Sequence, residues 1–102
     1  MTSISITINT ADLLRSLAKN FPGPIGDIFA ERANQVEQGY DQANDDATKP
    51  KEWVAYIDKQ IGKAFNAQLS RDADDFRDRM VKIAALALAA LESIDRQVAA
   101  KK

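Results

Sequence analysis

The 102-residue chain contains no cysteine and no histidine. Without cysteine there are no disulfides and no thiolate metal sites. Without histidine there is no imidazole-bound zinc, no Ser–His or Cys–His catalysis and no ordinary pH switch near neutrality. Any metal must then be a hard cation held by oxygen, Mg²⁺ with Mn²⁺ as the alternative. Excess charge of either sign is also missing, because 14 basic residues nearly cancel 15 acidic ones. Nucleic acid wants a basic face that displaces counterions, so it is not an expected partner. The longest apolar stretch, near residues 83–91, is too short to span a bilayer. The N-terminus, MTSISITINT, lacks the basic and long apolar regions of a signal peptide. These absences lead us to expect a soluble cytoplasmic protein with no membrane partner.

What is present describes one globular domain over residues 1–102, with 45% hydrophobic and 28% charged residues. In SISITIN, Ile4, Ile6 and Ile8 alternate with small polar residues, so residues 1–9 read as a strand-like arm. That arm would lie on the body or pair with its equivalent in a second subunit. Thr10 is the expected cap of a helix over residues 11–19, with Leu13, Leu14 and Leu17 inward and NFPGP ending it. A second helix is expected from Ile25 to Gln38, closed by Gly39, with Ile25, Ile28, Phe29 and Val36 on one side. Arg32 falls on that same side, where it needs a buried acceptor or room to reach water.

Thr48 is the expected cap of a third helix that ends near Gln68, with a stripe of Trp53, Ile57, Ile61 and Ala64. The last helix should start at Ser70 or Asp72 and run to about Ala100. Its main stripe is Phe76, Met80, Ile83, Ala84, Ala87, Leu91, Ile94 and Val98. IAALALAALESI is apolar around most of its circumference, which predicts a buried helix enclosed with the help of a partner subunit. The expected architecture is an all-α bundle of about four helices, completed as a homodimer or homotetramer.

Three groups of polar residues could carry chemistry. GYDQANDD does not fit a calcium loop, since Asp46 stands where that loop requires glycine. Asp45 and Asp46 remain candidate ligands of a site completed by other helices, or simply a polar turn before a helix. Glu92 and Asp95, three apart on one helix, point to one side, either to grip Mg²⁺ or to form ordinary ion pairs. Glu31 shares a polar face with Asp27, Asn34 and Gln35, which suits a nucleobase, a metal or plain solvent. Lys82 is explained by Asp78 four residues earlier, with a phosphate contact as the alternative. Trp53 and Tyr56 could stack on a base, Trp53 being first a core anchor.

Taken in order, ERANQVEQGYDQANDD, EWVAYIDKQIGKA and DFRDRMVKIAALALAALESIDRQ resemble the MazG-like proteins of phages and bacteria, over about residues 27–97. The resemblance implies an oligomeric all-α fold and a nucleotide ligand. It also implies Mg²⁺-dependent cleavage of a nucleoside triphosphate to a monophosphate and pyrophosphate. Glu92 and Asp95 match the family's E-x-x-D motif. The earlier E-E-x-x-E motif is absent; Glu31 stands near its place, and Asp45 and Asp46 are the substitutes on offer. The expected metal ligands are therefore Glu31, Asp45, Asp46, Glu92 and Asp95. Nucleotide contacts are expected from Arg32, Lys82, Trp53 and Tyr56. Two other functions fit the same residues. One is a phage protein in the host cytoplasm that sequesters a nucleotide or nucleotide-derived defence signal without cutting it. The other is an oligomeric protein-interaction module.

Overall fold

The structure, a computed structural model, describes residues 10–101. The strand-like arm expected over residues 1–9 lies outside the described residues. The fold is all-α, as the periodicity predicts. Five helices follow one another: α1 (Thr10–Asn20), α2 (Pro24–Glu37), α3 (Gln42–Ala47), α4 (Pro50–Leu69) and α5 (Ala73–Ala100). The helix missing from the sequence reading is α3, only six residues long. It carries too few turns to show a period, and its polar residues read as loop. Asp41 starts it by accepting a hydrogen bond from the Asn44 amide at 3.0 Å.

That extra helix changes the role of Thr48. It closes α3, donating its hydroxyl to the Asn44 carbonyl at 2.9 Å, rather than capping α4. Lys49 takes the cap position of α4. Because an ammonium cannot accept a hydrogen bond, the start of α4 is satisfied from the other side, by Glu52 accepting the Lys49 amide at 3.0 Å.

Both long turns end in the same way. After α2 the Gly39 amide bonds to the Val36 carbonyl and the Tyr40 amide to the Gln35 carbonyl, with Gly39 at φ +104. This is the paired closure that a left-handed residue permits. After α4 the same pair of bonds runs from Arg71 to Gln68 and from Asp72 to Ala67, with Arg71 at φ +57. Asp72 then accepts the Asp75 amide and caps α5, so one residue finishes one helix and starts the next.

Helices α1 and α2 pack together, as do α4 and α5, while α2 and α3 both rest on α5. At the α1–α2 crossing, a Cβ on Gly26 would lie 1.9 Å from the Phe21 carbonyl oxygen. Only glycine lets the two backbones meet there. Ala11, Leu14 and Ala33 form the buried centre of this pair, with Phe29 and Val36 against it.

The described residues enclose α5 only along its middle, where residues 81–90 are all buried or half-buried. Its buried positions are the small residues Ala85, Ala89 and Ser93. The two ends of its large apolar stripe face outward, with Leu91 at 59%, Ile94 at 45% and Val98 at 53% exposure, while Ile83 between the two ends is half-buried. Leu13, Ile25 and Ile61, also expected inside, are about half exposed. The molecule is elongated, with a radius of gyration of 15.6 Å, where a compact chain of 100 residues has about 13 Å. Among the described residues no helix is long and apolar enough to cross a membrane.

Candidate functional site

A cleft of about 250 Å³ opens where α2, α3, α4 and α5 come together. Each helix contributes residues at helical spacing, so each wall is a single stripe. Helix α2 presents Glu31, Arg32 and Gln35, with Gln38 just past its end. Helix α4 presents Trp53, Tyr56, Lys59 and Gln60; α5 presents Lys82, Leu86 and Ala89. Asn44, Asp45 and Thr48 close the remaining side, and Tyr40 lies at the turn between α2 and α3.

The floor is held by a buried ion pair. The Arg32 guanidinium donates to the Asp45 carboxylate, and the two side chains are 5% and 2% exposed. Its other arm donates to the Tyr40 carbonyl at 2.9 Å. Arg32 thus finds the acceptor that its place on an apolar stripe demands. Burial pushes the Asp45 carboxyl up in pKa, and the Arg32 charge opposes that rise.

Behind the pair, Ser93 fastens α3 to α5. Fully buried, its hydroxyl lies 3.0 Å from the Asp45 carbonyl and 3.1 Å from Asp46 Oδ1, and it accepts from Gln97. Arg96 donates to Asp46 at 2.8 Å and holds its carboxyl below the usual aspartate range. The same contact raises the Arg96 pKa. Ser93 carried no weight in the sequence, although one hydroxyl among the alanines of this helix is a signal that something polar must be met.

Nearer the start of α5, Lys82 bridges Glu31 at 3.1 Å and Asp78 at 3.2 Å. Partial burial pulls the lysine pKa down, but the two carboxylates outweigh it and the net shift is upward. The local partner read from the sequence is real, and the cleft adds a second one. Trp53, 6% exposed, is a core anchor whose ring meets that of Tyr56 edge-on, with centroids 6.4 Å apart. Tyr56 is the accessible aromatic of the two, at 41% exposure.

The structure therefore brings Arg32, Lys82, Trp53 and Tyr56 to one cleft, with Glu31 and Asp45 beside them. It does not bring the five candidate metal ligands into one set. Glu31 is paired with Lys82, Asp45 with Arg32 and Asp46 with Arg96. Glu92 and Asp95 are exposed on α5 and do not line the cleft. Among the described residues no group of three or more acidic side chains stands close enough to hold a metal ion. Each cleft carboxylate faces a cation of the protein itself, so the donor set does not fit a pair of divalent ions in this arrangement.

The remaining polar groups of the cleft are amides, of which the sequence singles out only Gln35, on the polar face with Glu31. Gln38, Asn44 and Gln60 line the cleft, and so does Gln35, only 8% exposed and with no donor for its Oε1. A glutamine on a mixed face gives no sequence signal of burial; that Gln35 is covered follows only from the helices that close over it. Comparison with models of protein families, with curated proteins and with solved structures returns no match.

Proposed function

We propose that this chain is a cytoplasmic, MazG-like nucleotide-binding protein, and that the cleft between α2, α3, α4 and α5 is where the ligand sits. One observation carries the reading. Arg32, Trp53, Tyr56 and Lys82, distant in sequence and each a candidate contact on chemical grounds, line a single concavity. Amides, two accessible aromatics in Tyr40 and Tyr56, and paired charges suit a small polar heterocycle.

Binding without turnover has better support than hydrolysis. Cleavage of a triphosphate needs carboxylates free to hold the metal ions, and those of the cleft are engaged by Arg32 and Lys82. A protein that holds such a ligand uncut acts by withdrawing it from solution, as the sequestering alternative requires.

Self-association belongs to the same reading. The stripe from Phe76 to Val98 runs about 33 Å along α5. The accessible surface is 7389 Å², where a compact monomer of 11.2 kDa exposes roughly 5,700 Å². A second copy packing stripe against stripe would cover Phe76, Met80, Leu91, Ile94 and Val98.

The test is titration of the purified chain with AMP, ATP and GTP, followed by melting temperature and calorimetry, with Mg²⁺ and with EDTA. A ligand that binds only the folded state raises Tm by mass action. The expected result is a saturable rise that survives EDTA, is weakened by Tyr56→Ala and comes without pyrophosphate release. A rise that requires Mg²⁺ and releases pyrophosphate would replace binding by hydrolysis. No rise with any nucleotide would sink both.

A further inference from the structure

Among the described residues, the cleft holds one buried polar atom that the fold leaves unpaired. Gln35 is 8% exposed, lines the cleft, and its side-chain oxygen meets no donor among the described residues. An unpaired amide in such a place destabilises the free protein. Its backbone is fixed as well, because the Gln35 carbonyl accepts from both Gln38 and Tyr40 at the closed end of α2. The side chain is thus a hydrogen-bonding group mounted on a rigid base.

The charges around it are almost balanced. Arg32, Lys59 and Lys82 face Glu31 and Asp45, three positive groups against two negative, leaving one net positive charge on the lining. A triphosphate carries far more negative charge than that. The volume, about 250 Å³, is just under the roughly 300 Å³ at which pockets for drug-sized ligands begin. It suits a nucleoside rather than a dinucleotide.

We propose that Gln35 reads the edge of a nucleobase, its oxygen accepting an amino or imino N–H while its amide N–H₂ donates to the neighbouring ring or carbonyl acceptor. The base, rather than the phosphates, is then the principal handle. A glutamine amide makes such a paired contact with a base edge readily. The proposal rests on the cleft being the nucleotide site and adds which part of the ligand it recognises.

The experiment compares adenosine, guanosine, cytidine, uridine, ATP and inorganic tripolyphosphate by calorimetry, on the wild-type chain and on Gln35→Met and Gln35→Glu. At least one nucleoside should bind as tightly as ATP or within about tenfold of it, and tripolyphosphate should not bind. Gln35→Met should weaken that nucleoside at least tenfold while raising the Tm of the free protein, because the unpaired oxygen is gone. A residue with a merely structural role would lower both. Gln35→Glu, an acceptor of two donors, should turn preference toward guanosine, whose edge offers two adjacent N–H groups. The wild-type comparison needs no variant to fold. If ATP binds and tripolyphosphate competes with it equally while nucleosides fail, the base-reading proposal is overturned and the nucleotide site stands. If none of the six binds with or without Mg²⁺, the nucleotide site itself falls.

Discussion

Helix α5 has two long sides that differ in residue size and in what they meet. One carries Ala85, Ala89 and Ser93, all buried, on the helix against which α2, α3 and α4 pack. The other carries Phe76, Met80, Leu91, Ile94 and Val98, each more than a third exposed. The small residues let neighbouring helices approach closely and leave space where long polar side chains from α2 and α3 meet. The large residues are where burial would yield most, at about 25 cal/mol per Å² of apolar surface removed from water. Size alone thus misidentifies the inner side of this helix. The side that builds the fold and the site is the one poorer in apolar area.

The largest effect is expected where the inner side meets charge. Arg32→Met leaves Asp45 buried without its cation and should cost about 3–5 kcal/mol in urea denaturation. Arg32→Met combined with Asp45→Leu should recover more than half of that loss. If the double variant is no better than the single, the pair is not what makes the position sensitive.

The two sides can then be set against each other directly. Ala85→Leu on the inner side should cost about 1–3 kcal/mol through overpacking. Leu91→Glu on the outer side should change the unfolding free energy of the monomer by less than about 0.5 kcal/mol. The same change should abolish self-association in sedimentation equilibrium. A Leu91→Glu chain that still associates would show that the outer stripe is not the interface.

The smallest effect is expected at the junction with α3 and is read through pH. Asp46 has its folded pKa depressed, chiefly by Arg96 and also by Ser93. Its stabilising contribution is therefore present above the ordinary aspartate range, near 4, and is lost as pH falls through the depressed value. Asp46→Asn should flatten that acid limb of the stability curve and leave its slope near neutrality unchanged. An acid limb identical to wild type would remove Asp46 from the account.

How much of this was legible beforehand depends on length of pattern. The four longer helices, the Gly39 closure and the start of α5 at one of two caps, Ser70 or Asp72, follow from periodicity and capping chemistry that repeat over many residues. Arg32 on an apolar stripe announced a buried acceptor, but nothing in the sequence said that Asp45 would supply it. That pairing depends on α3, whose six residues are too few to show a helical period. The same gap turned Asp45 and Asp46 into metal candidates, since an acid reads as free until its partner is placed. The burial of Gln35 and the partners of Ser93 escape the sequence for a related reason. A single polar residue declares its burial only through the helices that close over it.

The turn at Arg71 and Asp72 has a mechanical consequence. Because Asp72 accepts the cap of α5 while its own amide completes the end of α4, no residue between the two helices is free to act as a hinge. Trp53, Tyr56 and Gln60 on one helix and Lys82, Leu86 and Ala89 on the other are therefore carried by a jointless fork. Widening the cleft between its prongs would require bending a helix.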